Sequence, residues 1–95
     1  MQNTVILRGR DLFGTTVVDN RFISELVPDA PENAVRVYLY GLMLAGGAVS
    51  NPVSISDALK LSDAQVAEAF RYWEKCGIVR IIDGSLLSVE YLNLS

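Results

Sequence analysis

Residues 62–82 read Ser-Asp-Ala-Gln-Val-Ala-Glu-Ala-Phe-Arg-Tyr-Trp-Glu-Lys-Cys-Gly-Ile-Val-Arg-Ile-Ile. Ser62 is placed to cap a helix, because its hydroxyl can accept from a free amide of the first turn. Val66, Phe70 and Trp73 follow at spacings of four and three residues, which puts them on one helical face. Ala69 and Cys76 widen that stripe, and a packed thiol is the expected state of Cys76. Glu68, Arg71 and Lys75 fall on the opposite side. Gly77 stops the helix as its C′ residue. Residues 78–82 and 86–91 are strand-like. They are joined through Asp83-Gly84, a dipeptide that tolerates the positive φ of a two-residue hairpin turn.

Working outward, Ser54 or Ser56 can cap a short helix that runs to about Leu61, with Ile55, Ala58 and Leu59 facing inward. The stretch Leu59-Lys60-Leu61-Ser62-Asp63 then makes a tight connection to the longer helix, as a helix-turn-helix requires. Upstream, Pro31-Glu32 opens a helix, with proline tolerated in the first turn and an acid favoured by the dipole. Its body, residues 34–45, is apolar at every position except Arg36 and Gly41. Gly46-Gly47 ends it. A helix this apolar is buried on more than one side, and Phe70 and Trp73 are expected to pack on its Leu39 or Leu42. Earlier still, Asp19 or Asn20 caps a helix through about Val27, with Phe22, Ile23, Leu26 and Val27 as its stripe. Pro28 is expected to end it, since the residue before proline is pushed out of the helical region. Residues 4–8 read as a strand and residues 15–18 as extended.

The fold class expected from this order is mainly α with a small β-hairpin (α+β), a winged helix-turn-helix with an N-terminal strand and helix extension. One domain covers residues 1–95, with an N-terminal arm (1–18), a helical part (19–76) and a wing hairpin (78–92).

Composition bounds the function. The 95 residues are 51% hydrophobic and carry a net charge of −3, so the chain should fold and lacks the basic excess of a typical free-standing DNA-binding domain. The chain has one cysteine and no histidine. That excludes an intrachain disulfide, removes the commonest general base and metal ligand, and fits a reducing cytoplasm. There is no phosphate-cradling glycine loop and no nucleophile elbow. Asp19, Glu25, Asp57, Glu68 and Glu90 are scattered like caps and solvated faces. No enzyme, cofactor or metal site is expected. The longest apolar run is too short to cross a bilayer.

Two surfaces remain as candidates. The recognition-helix position offers Gln65, Arg71 and Lys75 to nucleic acid, with Arg80 the base nearest the wing tip. Over residues 62–76, however, Asp63, Glu68 and Glu74 outnumber Arg71 and Lys75. That favours contact with protein or solvent over a DNA groove. A protein interface is expected from Val5, Leu7, Leu12, Phe13, Tyr38, Tyr40, Met43 and Tyr72, because aromatic residues and methionine are enriched at interfaces and an unpaired N-terminal strand needs a partner.

The order of these motifs resembles the N-terminal domain of the DnaD-type primosomal proteins, a family that includes DnaB-type helicase-loading proteins and phage replisome organisers. The resemblance is carried by Thr15-Thr16-Val17-Val18-Asp19-Asn20 and residues 21–27, then Asp29-Ala30-Pro31 and Val35-Arg36-Val37-Tyr38-Leu39-Tyr40-Gly41-Leu42. Residues 56–61 and Ser62-Asp63-Ala64-Gln65-Val66 follow. Residues 69–81, from Ala69-Phe70-Arg71-Tyr72-Trp73 onward, close the match. It implies a winged-helix domain that self-associates and takes part in replication initiation or restart, where such proteins help recruit the replicative helicase. In that family a C-terminal domain does most of the DNA binding. The present chain is expected to be a fragment of a longer protein or a stand-alone version. The expected function is a scaffold for self-association and docking of replication partners, and the alternative is a DNA-binding winged-helix module of a transcriptional or phage regulator.

Overall fold

The computed structural model describes residues 14–46, 55–82 and 89–92. They form an irregular helical segment (Phe22–Leu26 and Val27–Asp29), then α1 (Glu32–Ala45), α2 (Ile55–Leu59), α3 (Asp63–Lys75), β1 (Val79–Ile81) and β2 (Val89–Tyr91). The fold is mainly α with one antiparallel two-stranded sheet. The strand read at residues 4–8 and the Asp83-Gly84 turn lie outside the described residues.

The helix α3 forms where its caps dictate. Ser62 Oγ accepts from Gln65 N at 3.1 Å and Gln65 Oε1 accepts from Ser62 N at 2.8 Å. This reciprocal pair satisfies two amides that would otherwise lack a partner. At the other end Gly77 sits at φ +84°, a conformation only glycine adopts without cost. Between the caps, Val66, Ala69, Phe70 and Trp73 are buried, as their spacing requires.

Trp73 is the centre of the core, fully buried at 0% exposure. Its ring lies 5.1 Å from Phe22 and 5.4 Å from Tyr38, and those two rings stack at 4.2 Å. Its indole N–H donates to the Ala34 carbonyl at 2.7 Å, so its polar atom is satisfied inside. Phe22, from the first helical segment, thus joins α1 and α3. Of the two residues expected under Phe70 and Trp73, Leu42 packs against this cluster, whereas Leu39 is 39% exposed. The reason is angular: α1 turns Ala34, Val37, Tyr38 and Gly41 inward, and Leu39, two residues past Val37, points to the far side.

Other expectations are corrected as well. The first helical segment ends at Leu26, close to the expected Val27, but Val27 is not pushed out of the helical region by Pro28. Val27 keeps helical angles (φ −61°, ψ −40°), its N–H reaches the Phe22 carbonyl in a wide turn, and a tight turn with Pro28 near its start carries the chain to Ala30, at ψ 148°. Proline is tolerated there because its missing N–H would have no partner in a first turn. The wide turn keeps Phe22, Leu26 and Val27 together and leaves Ile23 52% exposed, so Ile23 is not in the stripe. The short helix ends at Leu59 rather than near Leu61, with Lys60 at φ +61°, and Ala58 is exposed. Of the two proposed caps, Ser56 lies within the helix and Ser54 lies outside the described residues. Cys76 is exposed, because α3 ends at Lys75 and the next inward residues are Ile78, just before the sheet, and Val79 of β1.

The hairpin pairs Val79 with Tyr91, Arg80 with Glu90 and Ile81 with Val89. An uninterrupted ladder from a two-residue turn at Asp83-Gly84 would pair Ile81 with Leu86 instead. The burial pattern explains the register. Val79 and Tyr91 face the core together, and Arg80 meets Glu90 outside, with Arg80 Nε 3.1 Å from Glu90 Oε1. Sliding by three residues would reverse that facing. Tyr91 then reaches α1. Its hydroxyl donates to the Tyr38 carbonyl at 3.0 Å, and a Cβ at position 41 would overlap that hydroxyl oxygen. Gly41, an exception in an otherwise apolar helix, is the notch that admits Tyr91.

A candidate binding groove on the outer face of α3

α3 turns its second face to a groove of about 600 Å³, open to solvent. Gln65, Glu68, Ala69, Arg71, Tyr72 and Lys75 of α3 form one wall, and Pro31, Asn33 and Ala34 at the start of α1 form the other. The two walls come together because Trp73 binds the Ala34 carbonyl. The same hydrogen bond that closes the core therefore sets the width of the groove.

Three of the four residues read as nucleic-acid candidates meet here. Gln65 lends its side-chain oxygen to the cap of its own helix. Arg71 and Lys75 are exposed and, among the described residues, have no ion-pair partner. Lys75 also lies in the last turn of α3, where a cation suits the helix dipole. The fourth candidate, Arg80, stands apart on β1 with its charge offset by Glu90.

The residues read as a protein interface are dispersed. Tyr72 is half-buried and lines the groove. Its phenol is pushed above the ordinary tyrosine range, first by desolvation, then by the Cys76 thiol beside it and by Asp29. Tyr40 and Met43 are half-buried on α1. Tyr38 is a correction: it is only 4% exposed, stacked in the core, and cannot offer its ring to a partner. Val5, Leu7, Leu12 and Phe13 lie outside the described residues.

The α1 wall was missed by sequence reasoning. Gln65, Glu68, Tyr72 and Lys75 recur at three- and four-residue spacings, so their shared face was visible. Nothing local to Pro31 or Asn33 says that they stand across from it. No group of histidine, cysteine or acidic side chains able to hold a metal occurs among the described residues. No helix of the described residues is long and apolar enough to cross a membrane. Comparison of the chain with protein-family models, curated proteins and solved structures finds no match.

Proposed function

We propose that this chain is a non-catalytic winged-helix scaffold domain that self-associates and docks protein partners in the cytoplasm. The setting is the one implied by the resemblance above: replication initiation or restart, with loading of the helicase. The observation that carries this reading is the succession of elements. A long helix packs on α3, the short α2 joins α3 through Lys60, Leu61 and Ser62, and an antiparallel hairpin follows α3 directly. That is the order a winged helix requires, with α3 in the recognition position and the hairpin as wing.

The surface chemistry supports docking of protein over reading of DNA. The described base on the hairpin, Arg80, is spent on Glu90, and Glu68 lies in the groove where phosphates would approach. On α1, exposed Leu39 and half-buried Tyr40 and Met43 provide apolar surface for a second copy. Size-exclusion chromatography with light scattering tests the reading. A dimer or larger assembly at micromolar concentration is the expected result, and a strict monomer overturns self-association.

One observation favours the alternative of a DNA-binding module: Arg71 and Lys75 share a helical face and have no ion-pair partner among the described residues. A salt-titrated binding assay decides it. Affinity at low salt with a steep salt slope, lost in the double variant Arg71→Glu/Lys75→Glu, would assign α3 to DNA.

A further inference from the structure

We infer that the groove between α1 and α3 docks an acidic peptide segment of a partner protein, with an apolar side chain seated between its carboxylates. The inference rests on the docking role proposed above and names the chemistry of the partner. It starts from how the chain spends its cations. Arg21 pairs with Glu25, Arg80 pairs with Glu90, and Arg36 donates to the Leu59 carbonyl at 2.8 Å. Arg71 and Lys75, like Lys60 outside the groove, have no such partner among the described residues, although acids outnumber bases eleven to eight in the chain. They stand one helical turn apart on one wall of the groove, a spacing that matches carboxylates placed four apart on a docked helix. Exposed Pro31 gives the groove apolar surface, and half-buried Tyr72 adds an aromatic edge. Such a surface takes a leucine-sized side chain more readily than a sugar or phosphate.

Glu68 decides between classes of partner. Among the groove-lining residues of α3 the charges run acid, base, base at 68, 71 and 75. A nucleic-acid backbone is negative throughout and meets Glu68 as repulsion. A peptide can vary its charge along its length, with carboxylates for Arg71 and Lys75 and a lysine for Glu68. Electrostatic complementarity of this kind sets register and orientation more than raw affinity.

The test uses the full chain, labelled with nitrogen-15 and titrated with a synthetic helical peptide. The peptide carries two glutamates four residues apart, a leucine between them, and a lysine three residues beyond. A charge-inverted peptide and a short DNA duplex are titrated at the same ionic strength. The acidic peptide should shift the amides of Asn33, Glu68, Tyr72 and Lys75, and the inverted peptide should not. Arg71→Glu/Lys75→Glu should weaken the acidic peptide roughly tenfold, the sum of two exposed ion pairs. Glu68→Lys should weaken it too, and a glutamate in place of the peptide's lysine should restore binding. Equal shifts by both peptides, no shift in the groove, or tighter binding of the duplex at these residues would each overturn the inference. Light scattering on the same samples separates the two levels. An assembly that ignores the peptide loses the groove assignment and keeps the scaffold, whereas a monomer that binds the peptide does the reverse.

Discussion

The two faces of α3 spend their side chains in opposite ways. On the inner face Val66, Phe70 and Trp73 are buried, and the one polar atom of Trp73 is bonded to α1. On the outer face Glu68, Arg71 and Lys75 are exposed and leave their charges without partners among the described residues. One helix thus divides packed from solvent-facing side chains at a resolution of one residue, since Ala69 and Phe70 are core while Glu68 and Arg71 are surface. Substitutions that confuse the two faces should reveal how complete that division is.

The largest effect belongs to Trp73. Trp73→Ala removes the ring on which Phe22 and Tyr38 pack and the indole N–H that ties α3 to the Ala34 carbonyl, so it should cost about 3–5 kcal/mol in urea-unfolding free energy. A loss below about 1 kcal/mol, typical of surface positions, would break the comparison at its inner side. Gly41→Ala comes next. Alanine is the better helix former by about 1 kcal/mol, yet its methyl would overlap the Tyr91 hydroxyl. A net loss of about 1–3 kcal/mol is expected from overpacking, and Tyr91→Phe in the same chain should recover part of it by removing the oxygen.

Alkaline titration gives a smaller and more specific signal. Burial pushes the Tyr91 hydroxyl above its ordinary value, with the neighbouring Tyr38 acting in the same direction, and Tyr38 is itself raised by burial and then by Asp19. The folded chain therefore holds these protons to higher pH than the unfolded chain. Stability contributed by them is complete below the ordinary tyrosine value, about 10, and falls as pH rises past it. Thermal melts across that range should show the fall, and Tyr91→Phe should flatten it. At the small end, Arg71→Glu/Lys75→Glu should leave the unfolding free energy within about 0.5 kcal/mol. A larger change would mean that the outer face also supports the fold.

Much of this division can be read from sequence. The serine cap, the four-and-three spacing and the glycine stop define α3 almost to the residue, because each is a local rule. What escapes is what depends on distant partners. Tyr38 looks like interface material by composition, and it is core because Phe22 arrives from another element to stack on it. Ile23 leaves its stripe because the turn there is wider than 3.6 residues. The hairpin register departs from the simple Asp-Gly expectation because Tyr91 must meet the notch at Gly41, fifty residues earlier. The α3 side of the groove was legible as a helical face, whereas the α1 side exists only in three dimensions.

Glu74 adds a constraint on assembly. Its carboxylate accepts from the Ile81 N–H at 3.0 Å. Leu92 donates to the Ile78 carbonyl, so by the alternation of an antiparallel ladder the Ile81 N–H points away from β2. A side chain from the helix has therefore claimed a donor that an incoming strand would need. Copies of this chain cannot extend the sheet in full register at that position without first displacing Glu74. Growth by helix-to-helix contact meets no such obstacle, so this edge of β1 weighs against extension into a continuous β-ribbon.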